Sequence, residues 1–204
     1  GKAPACKGSL LWAKRFGDVG NQYATGVATD ADGDVIVVGS FTGSVDFGGG
    51  PLVSAGDRDV FVAKLDPTGA HLWSRRFGDA GDQAATGVAV DGAGDVVLVG
   101  RFSGTVDFGG GPLVGAGVSD GFLAKLDASG AHLWSKRFGA PSSQASPAAI
   151  AVDASGNVLF TGDFSGSIDL GGGALTSVGA ADAFVAKLDA SGAHLWSKRF
   201  GDAD

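Results

Sequence analysis

Three aspartates spaced two residues apart are the first side chains that could do chemistry. They are Asp30, Asp32 and Asp34, in the segment DADGD. Carboxylates at this spacing begin the calcium-binding loop of an EF-hand, which also needs glycine at its sixth position and glutamate at its twelfth. Those two positions hold Val35 and Phe41. We therefore interpret DADGD as a hairpin turn, with weak calcium binding by the three aspartates as the alternative.

Residues 117–121 read Gly-Val-Ser-Asp-Gly and match the GxSxG pattern of a nucleophilic serine. In enzymes that use this pattern it joins a strand to a helix, and a histidine and an acidic residue serve the serine. Here GFLAKLD follows and has the pattern of a strand, and the corresponding segments AGDRD and VGAAD contain no serine. The sequence therefore predicts no nucleophile and no enzyme.

The three histidines of the chain could hold a metal ion only if they converged. Each histidine directly precedes the segment LWS, and the three are His71, His132 and His194. Leu10 takes the place of the histidine in a corresponding segment near the N-terminus. Three GGG runs could suggest a phosphate loop, but no GK[ST] follows them. We expect peripheral histidines that pack on turns, glycine excursions at a sheet edge, and no cofactor.

Two recurring sets of polar side chains are the candidate ligand-binding residues. The first set lies in FGDAGDQ and related segments and comprises Asp18, Asp79, Gln22, Gln83 and Gln144. The second set lies two residues before a phenylalanine and comprises Asp59, Asp120 and Asp182. We expect these short side chains to hydrogen-bond turns. If a sugar or a peptide binds between repeats, we expect it to contact these residues.

These residues recur because the chain repeats itself. The four tryptophans lie at 12, 73, 134 and 196, in the words LLWAKRFGD, HLWSRRFGD, HLWSKRFGA and HLWSKRFGD. Their spacings of 61, 61 and 62 residues are typical of a repeat architecture.

The predicted organisation is a tail of 1–8, an orphan outer strand of 9–16, repeats of 17–77, 78–138 and 139–200, and a tail of 201–204.

Each repeat predicts four main strands and no helix. In the second repeat they are ATGVAVD, DVVLVGRF, GFLAKLD and HLWSKRF, with TVDF as a further short strand. DVVLVGRF is apolar without alternation, as in a strand covered on both faces. Four strands per repeat predict an all-β fold of β-propeller blades, with HLWSKRF outermost and its Trp and Phe packed on the adjacent blade. A threefold β-trefoil or β-prism is the alternative.

Two segments of the third repeat carry a resemblance to a known family. VAVDASGNVLFTGDFSG, followed by DAFVAKLDASGAHLWS, resembles the bacterial β-propeller repeat called the SBBP repeat. The segment VDFGGGPL resembles versions that are common in myxobacterial proteins. The resemblance covers essentially residues 9–204 and implies a secreted or surface protein, so we expect an extracellular or cell-surface location. It implies no catalytic or ligand residues.

Charge and composition exclude several classes of partner. The net charge is −7, and no basic stripe is present that could bind a nucleic-acid backbone or an anionic membrane. The lone cysteine, Cys6, cannot form a disulfide within the chain. We expect a non-enzymatic scaffold that displays repeated loops to a carbohydrate or protein ligand. The alternatives are a lectin-like binder with sites between blades, a lyase or hydrolase with a central-channel site, and an engineered or truncated repeat array.

Three blades are too few to close a ring in the usual way, because propellers usually close with four to eight blades. An open arc exposes two apolar sheet faces. We therefore expect that the chain is part of a longer propeller, or that two copies form a homodimer that closes a six-bladed ring. The orphan strand 9–16 is then surplus, since the third repeat already ends in its own HLWSKRF.

Overall fold

The fold is all-β, as predicted. The computed structural model describes residues 10–18 and 20–202, and these contain eighteen strands and no helix. Cys6 and the predicted tail of 1–8 lie outside the described residues. The strands are β1 (Gln22–Thr29), β2 (Val35–Phe41), β3 (Ser44–Asp46), β4 (Pro51–Val53), β5 (Asp59–Leu65), β6 (His71–Phe77), β7 (Gln83–Val90), β8 (Val96–Phe102), β9 (Thr105–Asp107), β10 (Pro112–Val114), β11 (Asp120–Leu126), β12 (His132–Phe138), β13 (Gln144–Val152), β14 (Val158–Ser165), β15 (Ser167–Asp169), β16 (Ala174–Thr176), β17 (Asp182–Leu188) and β18 (His194–Phe200).

Each repeat forms one four-stranded antiparallel sheet, which we call a blade. The strand order is β1-β2-β5-β6 in blade 1, β7-β8-β11-β12 in blade 2 and β13-β14-β17-β18 in blade 3. The glycine-rich excursion of each repeat forms a separate two-stranded hairpin: β3 with β4, β9 with β10, and β15 with β16. The sequence predicted the first strand of this hairpin, in TVDF, but missed its partner, because PLV is too short to show a pattern.

The blades stack face to face through two clusters of buried side chains. Leu98 on β8 belongs to the cluster between blades 1 and 2, with Val62 of blade 1. Its neighbours Val97 and Val99 belong to the cluster between blades 2 and 3, with Phe184 of blade 3. Successive side chains of a strand point to opposite faces. The middle strand is therefore apolar throughout because both of its faces are covered.

The outer strands contact the following blade in the predicted way. Trp73 on β6 donates its indole Nε1–H to the carbonyl oxygen of Ala128 in blade 2, at 3.0 Å. The ring of Phe77 lies 4.9 Å from that of Phe108, which follows β9. Each outer strand therefore fastens its own blade to the turn and the small hairpin of the next blade.

The compact threefold alternative differs from the structure. Every strand ladder joins strands of the same repeat, and the described strands form no closed barrel. A β-trefoil or β-prism gathers its three repeats around one shared core, whereas here two separate cores flank blade 2. The physical reason is that each sheet is complete within its repeat and apolar on both faces, so the sheets stack.

The predicted orphan outer strand is not a strand, since residues Leu10–Phe16 pair with no strand in the described part of the chain. A strand ladder needs a neighbouring strand to accept its hydrogen bonds. The side chains of this segment nevertheless pack on blade 1. Trp12 Nε1 donates to the carbonyl oxygen of Pro67 at 2.9 Å, and the Phe16 ring lies 5.1 Å from that of Phe47.

The face of blade 3 that points away from blade 2 is uncovered by any described residue. Phe138 on β12 is 4% exposed because blade 3 covers it, whereas its counterpart Phe200 on β18 is 55% exposed. Trp196, on the same face, is 39% exposed. This contrast provides a matched test of how much stacking contributes to stability.

We expect Phe138→Ala to lower the free energy of unfolding by roughly 3–4 kcal/mol, because it removes a buried ring and leaves a cavity between two blades. We expect Phe200→Ala, the same change at an exposed position, to cost less than about 1 kcal/mol. Urea unfolding at low protein concentration, followed by circular dichroism and tryptophan fluorescence, measures both. Equal losses for the two variants would contradict stacking of blade 2 on blade 3.

Candidate functional site

The aspartates of DADGD form the predicted hairpin turn. Asp30 Oδ1 accepts hydrogen bonds from the backbone amides of Asp32 and Asp34, at 3.1 and 2.9 Å. Asp30 Oδ2 lies 2.8 Å from Lys64 Nζ, which also contacts Asp34 Oδ2 at 3.2 Å. Both carboxylate oxygens of Asp30 therefore have partners within the blade. Within residues 10–18 and 20–202, no group of three or more His, Cys, Asp or Glu side chains is arranged to hold a metal ion.

The same ion pair recurs in blade 2 and is buried there. Lys125 Nζ lies 2.8 Å from Asp91 Oδ2 and 3.1 Å from Asp95 Oδ2. Burial raises the pKa of Asp91, but the hydrogen bonds from Lys125 and from backbone amides outweigh it, so the pKa lies below its ordinary value. Burial lowers the pKa of Lys125, and the hydrogen bonds to the two aspartates raise it above its ordinary value.

Blade 3 holds the third copy of this ion pair at its uncovered face. Lys187 Nζ lies 2.8 Å from Asp153 Oδ2, and the two side chains are 23% and 33% exposed, against 8% and 7% for Lys125 and Asp91. Hydrogen bonds from Lys187 and Asn157 hold the pKa of Asp153 well below its usual range. The contact between lysine and the first aspartate recurs in every blade, but in blade 3 Asn157 replaces the second aspartate and the pair is more accessible to water.

The second predicted ligand set ties the two outer strands of each blade together. The outer-strand arginine binds the aspartate that begins the adjacent strand: Arg76 Nη1 lies 2.5 Å from Asp59 Oδ2, Arg137 Nη1 lies 2.7 Å from Asp120 Oδ2, and Arg199 pairs with Asp182. All three aspartates are buried. The hydrogen bond from Arg199 lowers the pKa of Asp182. Contact of these residues with a ligand stays a prediction.

Two of these buried aspartates differ in one detail. Asp120 Oδ1 accepts a hydrogen bond from the amide of Gly117 at 3.0 Å. Asp59 Oδ1 is buried without a hydrogen-bond partner among the described residues. The Oδ2 atoms of the two aspartates make equivalent hydrogen bonds. Asp59 Oδ2 accepts one from the backbone amide of Ala55, and Asp120 Oδ2 accepts one from the backbone amide of Ala116.

The first predicted ligand set stabilises the turn between blades 1 and 2. Asp79 Oδ1 accepts hydrogen bonds from the amide of Gly81 and from Gln83 Nε2, both at 2.8 Å. Asp79 Oδ2 accepts from the amide of Thr105 at 3.0 Å, and Gln83 is fully buried. In the corresponding turn before β1, Gln22 Nε2 donates to the carbonyl oxygen of Ser44 at 3.2 Å and Asp18 is exposed. The expected hydrogen bonding of turns is seen for Asp79, Gln83 and Gln22, and ligand contact stays a prediction.

Gln144 does not occupy the position of Gln83, although sequence spacing aligns the two. Gln83 pairs with Phe102, and the residue that pairs with the corresponding Phe164 is Ala145. The extra residue of the third repeat lies in the turn before Gln144, which shifts Gln144 by one position. A shift of one residue turns a side chain to the other face of a sheet. Gln144 is accordingly exposed, whereas Ala145 and Gln83 are buried.

Ser119 and the histidines lie where the sequence placed them. Strand β11 begins directly after Ser119, so a strand and not a helix follows the GxSxG match. The histidines lie at the outer edge of their blades, and His132 Nε2 lies 3.1 Å from Ser135 Oγ. A Cβ atom at Gly110 would lie 2.1 Å from His132 Cε1. The GGG run therefore makes room for the histidine ring, a contact that the sequence analysis missed.

Two equivalent clefts open between the blades on the outer side of the molecule. One, of about 680 Å³, lies between blades 1 and 2, and the other, of about 530 Å³, lies between blades 2 and 3. The polar side chains that line the first are Arg75, Arg76, Asp107 and His132, and those that line the second are Ser135, Lys136, Arg137, Asp169 and His194. A site between repeats was expected, but at the two sets of polar side chains named above, and none of those residues lines either cleft.

Comparison with known proteins agrees with the architecture. The model of the SBBP β-propeller repeat matches residues 133–163, from the outer strand of blade 2 into β14 of blade 3. An uncharacterized WD repeat-containing protein, L264, of Acanthamoeba polyphaga mimivirus is 34% identical over 104 residues. The match covers 48% of this chain and 8% of that protein. No helix in the described part of the chain is long and apolar enough to cross a membrane.

We expect Lys125→Met to lower the free energy of unfolding by about 3 kcal/mol, because it leaves two carboxylates unpaired in a buried site. Lys187→Met is the comparison, and we expect it to cost less than about 1 kcal/mol because it frees only one carboxylate, Asp153, and water reaches that pair. Urea titration at pH 7 and low protein concentration compares the two variants with the wild type. A larger loss for Lys187→Met would contradict the burial described for these pairs.

We expect the stability of the protein to fall in acid, beginning below about pH 5. The pKa of Asp91 is lower in the folded chain than in the unfolded chain, so the unfolded chain takes up its proton at a higher pH. The stability from this group is therefore complete above about pH 5, and it is lost progressively as the pH falls from about 4 through the lower pKa of the folded chain. Asp91→Asn should be less stable than the wild type at pH 7 and should show a weaker dependence on pH between 5 and 3. Unfolding curves with the same pH dependence for both proteins would contradict this assignment.

Proposed function

We propose that this chain is a non-enzymatic scaffold of β-propeller blades that binds partners through features repeated from blade to blade. The observation that supports this proposal best is the pair of equivalent clefts, which present the same types of side chain in the same places. Repeated weak sites on one rigid body give avidity to a ligand that reaches more than one of them. The similarity to a WD repeat-containing protein and to the SBBP repeat supports a role as a binding scaffold.

We further propose that the protein acts outside the cell or at its surface, and that it works as part of a closed ring. The location is supported by the resemblance of residues 9–204 to a repeat of secreted and surface proteins. Ring closure is supported by the uncovered apolar face of blade 3, since a soluble blade of this kind normally has a neighbour on each face.

A lectin-like activity is the second candidate, and the chemistry of the clefts favours it. Each cleft has two cationic side chains, a histidine and an aspartate at an open, partly polar surface. Arg76 and Arg137 are paired with buried aspartates, whereas within the described part of the chain Arg75 makes a single long hydrogen bond, to the carbonyl oxygen of Ser129 at 3.4 Å. A saccharide that carries carboxylate or sulfate groups could pair with Arg75 in one cleft and with Lys136 in the other.

We mix the chain with a panel of acidic oligosaccharides and acidic peptides and measure the complexes by native mass spectrometry. We expect complexes with one and with two bound ligands per chain, and we expect each ligand to keep its mass because it is not converted. Arg75→Ala should remove one step, and Arg75→Ala with Lys136→Ala should remove both. Lys198→Ala is the matched control, because Lys198 is the counterpart of these two residues on the uncovered face of blade 3, and it should change neither step.

The outcomes separate the candidates. Stepwise binding of oligosaccharides that depends on the two cations supports the lectin-like candidate, and the same behaviour with peptides supports a scaffold for proteins. A single adduct that is insensitive to all three substitutions would contradict binding in the clefts. Conversion of an added compound to a product would contradict the non-enzymatic role.

A further inference from the structure

The two ends of the stack of blades are the two halves of an interface that the chain already contains twice. The side of blade 1 that packs on blade 2 corresponds to the side of blade 2 that packs on blade 3. We call the side of blade 3 that carries Trp196 and Phe200 the trailing face, and the side of blade 1 that carries Val27 and Phe47 the leading face. The trailing face of each blade fits the leading face of the next, so these two end faces are complementary.

The trailing face of blade 3 has the groups that fasten one blade to the next, but among residues 10–18 and 20–202 nothing packs against them. In blade 2, Trp134 Nε1 donates to the carbonyl oxygen of Ala190 in blade 3 at 3.2 Å, and the Phe138 ring lies 5.3 Å from that of Phe160. Trp196 and Phe200 occupy the corresponding positions of β18 and are exposed. With Val185 and Lys198 they line a mostly apolar depression of about 300 Å³.

Blade 1 has the backbone carbonyl groups that would accept hydrogen bonds from an outer strand, but the segment Leu10–Phe16 is already bound to them. Trp12 Nε1 donates to the carbonyl oxygen of Pro67 at 2.9 Å, as Trp134 does to Ala190. Lys14 Nζ donates to the carbonyl oxygen of Gly69 at 2.5 Å. The side chains Trp, Lys and Phe at alternate positions of LLWAKRF are the same as those of HLWSKRF in β18. The segment therefore uses the surface that an outer strand of a preceding blade would use.

Leu10–Phe16 covers only the outer half of the leading face. Val27, on the first strand of blade 1, is 67% exposed, whereas its counterpart Val88 is packed against the core between blades 1 and 2. A seven-residue segment without strand partners cannot replace the apolar surface of a whole blade, so the inner half of this face stays open to a larger partner.

We propose that the leading face of blade 1 binds the trailing face of blade 3 of a second copy of this chain, and that Leu10–Phe16 competes with β18 of that copy for the same surface. The proposal rests on the proposed ring assembly and names the surfaces and the competing segment. Three blades in each of two copies make six, a number with which propellers close. The second copy is the occupant that the chain's own two interfaces define, because its blades carry the matching side chains.

The new interface lacks one hydrogen bond that both internal interfaces have. Thr25 Oγ1 donates to the carbonyl oxygen of Ala85 in blade 2 at 2.7 Å, and Thr86 Oγ1 donates to that of Pro147 in blade 3 at 2.6 Å. The corresponding residue at the bulge of β13 is Ala148, which has no hydroxyl group. The loss of this donor weakens the contact between copies relative to the internal contacts, which allows a short segment to compete with it.

Sedimentation velocity over a wide range of protein concentration tests the competition. Trp12→Ala with Phe16→Ala removes the two aromatic anchors of the segment and frees the surface of blade 1. We expect this double variant to self-associate roughly tenfold or more tightly than the wild type. Adding Phe200→Ala should abolish that gain. Leu11→Ala is the matched control within the segment, because its side chain is exposed, and it should leave self-association unchanged.

A gain-of-function variant tests the same interface in the opposite direction. Ala148→Thr restores the hydroxyl group that the internal interfaces use, and in the Trp12→Ala, Phe16→Ala background we expect it to tighten self-association roughly fivefold. Circular dichroism and urea unfolding of each variant at low concentration show that the three blades remain folded.

The outcomes decide the proposal. A dimer, or a longer head-to-tail oligomer, that appears in the double variant and disappears with Phe200→Ala supports it. A folded double variant that remains monomeric at all concentrations overturns it, as does self-association that Phe200→Ala does not reduce. Either negative result leaves ligand binding in the clefts intact, because the stoichiometry measured by native mass spectrometry is a property of each single chain.

Discussion

The stacking of sheets that are apolar on both faces is the constraint on which the rest of this structure depends. Leu98 packs towards one neighbouring blade, and Val97 and Val99 pack towards the other. No single blade can bury both of its faces by itself, so each needs a neighbour. The periodic sequence, the face-to-face order of the blades and the exposed surface at the trailing face of blade 3 all follow from this requirement.

The same constraint decides what the polar side chains do. Near the cores, charged groups are paired: Lys64 and Lys125 with the aspartates of a turn, and Arg76 and Arg137 with the aspartates of the adjacent strand. These pairs hold strands and turns in register, and their charged atoms have little hydrogen-bonding capacity left for a ligand. Side chains free to meet a partner therefore lie farther out, where two blades meet and leave a cleft open to solvent.

The two kinds of surface differ in the partner that they suit. The clefts are small, polar and repeated, which suits separate groups of an extended ligand. The end faces are broad and apolar, which suits another blade. Leu10–Phe16 shows that an end face accepts an outer strand, because this segment has the residues of an outer strand and covers part of one end face without belonging to a blade.

The sequence by itself determined the repeat, the four main strands of each blade and the turns between them. These features depend on local alternation, on short polar side chains at turns, and on glycine at positions such as Gly94 and Gly130, where φ is about +80°. Only the tertiary structure decided which side chains share a cleft, because Arg75 and His132 come from different repeats. It also decided the register of Gln144 and the unpaired state of Leu10–Phe16, since both depend on which backbone groups find a hydrogen-bonding neighbour.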